Sequence, residues 1–139
     1  MVGLRFFTVY GPWGRSDMAV YKFAEKILEN EPVPKFETND GILERDFTYI
    51  DDIINGVMAT LSYTPRRCGE VFNLGYGHPE NLLKMIGYLE EAVGKKAVLA
   101  PKPVPPSELL KTYADISLSR QLLGYNPTTS LKIGENYLL

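Results

Sequence analysis

Aromatic and β-branched residues crowd residues 4–9, Leu-Arg-Phe-Phe-Thr-Val, and the run stops at Gly11-Pro12. Such a run closed by a Gly-Pro breaker predicts a strand whose C-terminal end lies at Thr8 to Tyr10. The period then changes. Over residues 18–28 the apolar positions Val20, Phe23, Ala24, Ile27 and Leu28 fall on one helical face, Ser16 or Asp17 is placed to cap it, and Pro32 and Pro34 prevent continuation. "VPKFE", the polar turn "TNDG" and "RDFTYI" predict two short extended segments paired as a hairpin. Ile53, Ile54, Val57, Met58 and Leu61 form the next helical stripe, opened by Asp51 and Asp52.

"EVFNLGYG" reads as a buried strand entering a tight turn, with Pro79 at the first turn of a following helix whose apolar face is Leu82, Ile86, Leu89 and Val93. "KAVLAP" is a short strand and "KPVPPS" a proline-rich loop. "DISLSRQLLGYNP" is a helix stopped by Gly124, and Ser130 caps a last helix from residue 131 onward. Strands alternating with helices predict an α/β fold, with residues 1–139 forming one domain. The first strand is expected to be buried between neighbours, yet no βα unit precedes it, so the pattern reads as part of a larger fold.

Composition narrows the partners. The 139 residues are 45% hydrophobic and 23% charged, enough to bury one core, and 15 basic against 17 acidic side chains leave a charge of -2 with no basic block. Nucleic acid is thereby an unexpected partner. No apolar run reaches the ~18 residues of a membrane span and no secretory signal is evident, which points to the cytoplasm and away from membranes. One cysteine, Cys68, and one histidine, His78, exclude an internal disulfide and a Cys- or His-rich metal site.

The chemistry expected of a self-contained dinucleotide enzyme is not in these residues. No Gly-x-Gly-x-x-Gly loop is present: "NLGYGHPE" offers Gly75 and Gly77, but Glu80 stands at the sixth position, where a pyrophosphate needs an uncharged approach, and a plain tight turn is the simpler reading. No tyrosine stands four residues before a lysine, so the cation-assisted Tyr-x-x-x-Lys base is missing. His78 beside a proline reads as a solvated loop residue. Asp51 and Asp52 point apart on a helix and read as capping groups rather than an acid/base dyad.

Three residues suggest a ligand. Arg15 follows a strand-end turn and adjoins a helix start, a setting that attracts a carboxylate or phosphate. Arg45, in "ERDFTYIDD", is either held by Asp46 or presented to a ligand. Phe36 would be half exposed in a short strand, where a flat ring can stack on a base. For each, a purely structural role stays open at this level.

The motifs "RFFTVYGPWGR" with "DMA" at residues 17–19, "RDFTYIDDI", "FNLGYG", and "TYADIS" with "LGYNPTTSL" occur in order. Together they resemble the C-terminal half of the extended short-chain dehydrogenase/reductase superfamily, the NAD-dependent nucleotide-sugar epimerases and dehydratases, with UDP-glucuronate 4-epimerases as the nearest branch. The resemblance implies a Rossmann-type α/β fold without its dinucleotide-binding N-terminal half. It places Phe6 and Phe7 beside the cofactor, Thr8 on the substrate, Arg15 facing a sugar carboxylate, Phe36 on uracil, and Arg45 at the ribose and phosphate. It also implies that NAD and the tyrosine base belong mainly to that other half. A UDP-sugar, a complementary N-terminal half or a second copy are then the expected partners, and this chain alone is expected to be inactive. Ser107-Glu108 replaces a common Gly-Asp pair, and Pro105 stands where some relatives carry a phosphate-binding arginine.

Overall fold

The computed structural model describes residues 1–37, 43–106 and 108–137. The first apolar run forms two strands, β1 (Val2–Phe6) and β2 (Thr8–Tyr10). β1 pairs in parallel with β6 (Glu70–Leu74), Val2 opposite Glu70 through Phe6 opposite Leu74, whereas β2 pairs in parallel with β5 (Phe47–Tyr49). The change of partner occurs at Phe7, whose N–H donates to the Leu74 carbonyl at 3.2 Å while the next N–H, of Thr8, donates to the Asp46 carbonyl at 3.1 Å. One sequence run thus serves two neighbours in turn, and Thr8 sits where the run leaves β6.

Helix α1 (Ala19–Glu29) buries Val20, Phe23, Ala24 and Ile27, as its period predicts, while Leu28 of the same expected face is exposed. Met18 is the residue before the helix and no side chain caps it; Asp17 does not do so because its carboxylate is held by Arg15. Strand β3 (Pro32–Glu37) follows. The predicted hairpin is overturned: β3 pairs in parallel with β8 (Val98–Pro103), Phe36 opposite Lys102, while β5 is taken by β2. The "TNDG" segment lies outside the described residues. Two prolines in β3 and two in β8 are tolerated because, among the described residues, this sheet has two strands, and each keeps an edge on which a missing N–H costs no ladder bond.

β4 (Glu44–Arg45) pairs antiparallel with β7 (Glu80–Asn81), a strand pair absent from the sequence reading. That pairing delays the next helix, so α3 (Leu82–Val93) starts beyond Pro79 and is capped by Asn81, whose Oδ1 accepts the Leu83 N–H at 2.7 Å. Helix α2 (Ile50–Leu61) begins at the expected place, and Asp51 in its first turn complements the dipole. Asp52, however, does not cap it: its buried carboxylate accepts the N–H groups of Thr128 (3.1 Å) and Thr129 (2.9 Å). α4 (Ser117–Leu123) ends at Gly124 in the left-handed region as predicted, and α5 (Leu131–Glu135) is a short helix preceded by Ser130, which contributes no side-chain cap.

The main core lies where α1, α3 and α5 meet β2 and β5, and Phe23, Ile27, Met85, Leu89 and Leu131 are buried there. Tyr10 sits at its centre, edge-on to Phe47 and Tyr49 with ring centroids 6.5 and 5.6 Å away. Its hydroxyl donates to the Ser130 carbonyl at 3.3 Å, and α5 can approach so closely because Gly134 has no Cβ where the Tyr10 ring lies. A second cluster of Ile53, Leu74, Ala114, Ile116 and Tyr125 lies under α2 and α4. No helix among the described residues is long and apolar enough to cross a membrane.

Candidate functional site

The start of β2, the start of α1, the end of β3 and the strand β4 converge on one cleft of about 420 Å³. Thr8, Phe36 and Arg45 all line it, joined by Asp17, Lys22 and Glu108, over an apolar floor that includes Phe23 and Phe47. Residues separated by up to 100 positions are brought together because β2 and β5 pair side by side and α1 packs across the same core. Behind Phe36 a smaller cavity of about 40 Å³ runs between Pro34, Leu43 and Ile86.

Arg45 is only 13% exposed at its side chain. The two possibilities open in the sequence resolve in an unexpected way, because its acid partner is Glu108. Nη2 donates to Glu108, Nη1 donates to the Glu44 carbonyl at 2.8 Å, and the guanidinium is held at the cleft by both. Asp46 is occupied elsewhere. It is fully buried and accepts three backbone N–H groups, those of Tyr76 (2.8 Å), Gly77 (3.0 Å) and Ala114 (3.0 Å), plus the Thr48 hydroxyl at 3.3 Å.

Arg15 forms a two-pronged contact with Asp17, Nε to Oδ1 at 2.9 Å and Nη2 to Oδ2 at 2.5 Å. The hydrogen bonds from Arg15 hold the Asp17 carboxyl below its ordinary range, and Asp17 in turn raises the guanidinium. Arg15 itself does not line the cleft; it is attached to it through Asp17. The turn that carries it is tied by Tyr21, whose hydroxyl accepts the Gly14 N–H at 3.0 Å and donates to the Gly11 carbonyl. Three of the five guanidinium N–H donors remain available after the Asp17 contact.

Phe6 and Phe7 lie apart from this cleft. Phe6 is half exposed on β1, and Phe7 packs against the second core cluster. The fit of a dinucleotide to the described residues is tested by the Gly75–Gly77 turn. Its Tyr76 and Gly77 amides, which would have to face a pyrophosphate, both donate to the Asp46 carboxylate. An internal anion already occupies that cradle, so the turn does not fit NAD phosphates, and its role is structural. His78 stacks edge-on to Tyr76 at 5.7 Å and is not in the cleft.

Sequence reasoning overlooked Lys22 as a site residue and treated Asp17 and Glu108 only as a cap and a motif departure. Lys22 carries no distinguishing signal, since a lysine on the polar face of an amphipathic helix is ordinary. Glu108 could have been found by asking what balances a cation in a half-buried strand.

Comparison with known proteins identifies the arrangement. Residues 1–75 match the model of the NAD dependent epimerase/dehydratase family. The chain belongs to that family. UDP-glucuronate 4-epimerase 4 of Arabidopsis thaliana is 41% identical over 147 aligned positions, covering 96% of this chain and 34% of that protein. The UDP-glucuronic acid 4-epimerase of Bacillus cereus, solved with UDP-glucuronic acid and NAD, superposes with a TM-score of 0.87 at 42% identity, covering 96% of this chain and 42% of that one. A UDP-glucose 4-epimerase of Thermotoga maritima, solved with UDP-glucose, superposes at 0.86 with 28% identity and 98% and 43% coverage. This family member therefore has the α/β, Rossmann-type fold of the extended short-chain dehydrogenase/reductases, and spans well under half the length of these relatives.

Proposed function

We propose that these residues form the substrate-binding wall of an NAD-dependent UDP-glucuronate 4-epimerase. The observation that carries the reading is the one cleft that gathers Thr8, Phe36 and Arg45, residues for which the family resemblance implies contacts to sugar, base and ribose-phosphate. Phe36 offers a flat face to uracil, Arg45 a pre-oriented guanidinium to the ribose-phosphate end, and Thr8 a hydroxyl to the sugar. Arg15, held by Asp17 with donors to spare, reaches the uronate carboxylate from beside the cleft. Phe6 and Phe7 flank the position of the nicotinamide, and NAD itself is bound by a second, dinucleotide-binding half. Relatives solved with UDP-glucuronic acid and NAD support the substrate and cofactor.

Among the described residues the two carboxylates that line the cleft, Asp17 and Glu108, are each engaged by an arginine and not free to act as a base, so on this reading the chain binds and orients substrate and does not turn it over alone. Binding by one wall of a pocket is correspondingly weak, roughly millimolar, because much of the ligand stays exposed. Isothermal titration with UDP-glucuronate and UDP-glucose tests the assignment. Arg15→Leu is expected to weaken UDP-glucuronate about tenfold, the loss of one charge-assisted contact, and to leave UDP-glucose nearly unchanged. Equal loss for both sugars would refute the uronate role of Arg15.

A second reading, an assembly module, is favoured by a different surface. β1 pairs with β6 alone among the described strands, leaving one edge open, and α2 exposes Ile54, Met58 and Leu61 at helical spacing on one face. Such a face favours docking of a complementary half or of a second copy. Sedimentation of the purified chain distinguishes this reading, for a monomer at all concentrations with no affinity for a dinucleotide-binding half would exclude it.

A further inference from the structure

One cation of the cleft has no direct ion-pair partner among the described residues. Arg45 is matched by Glu108, and Asp17 by Arg15, each through direct hydrogen bonds. Lys22 is left over: it lines the same cleft from the second turn of α1 and forms no ion pair among the described residues. Its charge acts on the Asp17 side, where it contributes to holding that carboxyl below its ordinary range. Counting Arg15 beside the cleft, the site carries one net positive charge, and the cation without an acid partner is Lys22, a flexible side chain on the cleft wall.

A nucleoside-diphosphate ligand brings two negative charges in the segment that joins base to sugar. With Phe36 on the base and Thr8 on the sugar, that segment passes through the stretch of cleft that Lys22 and Arg45 face from α1 and β4. Arg45 alone is insufficient to balance it, because Glu108 already neutralises that guanidinium. We infer that Lys22 is a diphosphate-binding residue of this site, supplying the cation that the Arg45–Glu108 pair does not. The inference rests on the reading of the cleft as a nucleotide-sugar site. A mobile lysine suits the task, since a point charge can follow the diphosphate without the fixed geometry a guanidinium demands.

Isothermal titration or chemical-shift titration of the full chain with UDP and with uridine separates the two claims. The wild-type chain is expected to bind UDP about tenfold more tightly than uridine at low ionic strength. Lys22→Met is expected to remove about that tenfold advantage while leaving uridine affinity unchanged, and Lys22→Arg to restore most of it. Lys22 lies on the exposed side of α1, so circular dichroism of Lys22→Met should match the wild type. A Lys22→Met chain that binds UDP as well as the wild type would overturn the assignment while leaving the nucleotide site intact. Equal loss of UDP and uridine would also overturn it, by showing a structural role. A wild-type chain that binds neither ligand would remove the nucleotide-sugar reading itself.

Discussion

Glu135 sits in α5 with no exposed surface, and among the described residues neither carboxylate oxygen has a hydrogen-bond partner. Burial pushes its carboxyl from the ordinary 4.5 up to about 8, and in the same pocket the Tyr10 phenol is held protonated, mainly by burial and next by Glu135. Because the folded state keeps this proton and the unfolded state releases it near 4.5, stability falls as pH rises from about 4.5 to about 8 and then levels off. Replacing the acid by a hydrocarbon of similar size removes that linkage. Glu135→Leu is expected to raise stability at pH 8 by a few kcal/mol and to flatten the pH dependence between 5 and 8, measured by urea unfolding at several pH values. An unchanged slope would show that Glu135 ionises in the folded chain. At this scale the sequence was informative for residues with one dominant chemistry, such as Phe36, and less so for charges. Arg45 lies next to Asp46 in sequence, but a strand turns adjacent side chains to opposite faces, so its partner came from 63 positions away.

Elements were legible wherever a single period governed them. The face of α3, that of α1 except for the exposed Leu28, and the glycine stop of α4 follow from the apolar spacing and the left-handed Gly124, whereas α2 buries Ile53 and leaves Ile54, Met58 and Leu61 of its expected stripe exposed. What failed was pairing. Residues 32–37 and 47–49 look like a hairpin because they are near in sequence, whereas each is claimed by a distant parallel strand whose register buries Val33, Phe47 and Tyr49. The pairing of β4 with β7 was invisible because two residues carry no period. Asp46 is the polar counterpart of this non-local order: from between β4 and β5 it binds the turn after β6 and the segment before α4. Asp46→Ala would remove the acceptor of three amides, the buried one of Ala114 and the part-buried ones of Tyr76 and Gly77, and is expected to cost about 3 kcal/mol, lowering the urea midpoint. A loss under 1 kcal/mol would show that these elements hold one another without it. Since Asp46 also sets the β4–β5 segment that bears Arg45, the variant should weaken UDP binding as well.

For the whole molecule, β1 pairs with β6 alone among the described strands and α2 exposes Ile54, Met58 and Leu61, the surfaces that the proposed dinucleotide-binding half would cover. The chain spans 42% of the length of the Bacillus cereus enzyme. The family was legible because four motifs occur in order across the sequence. The cleft was only partly so, for Lys22 and Glu108 join it through tertiary packing that no local pattern records. A cleft proposed to orient substrate without supplying a base makes a direct demand on catalysis. The measurement is UDP-galacturonate formation from UDP-glucuronate and NAD, by this chain alone and by this chain mixed with the dinucleotide-binding half of a relative such as the Bacillus cereus enzyme. No turnover by the chain alone and turnover by the mixture, faster for UDP-glucuronate than for UDP-glucose, is the predicted result. Turnover by the 139 residues alone, or a mixture that converts both sugars equally, would contradict it.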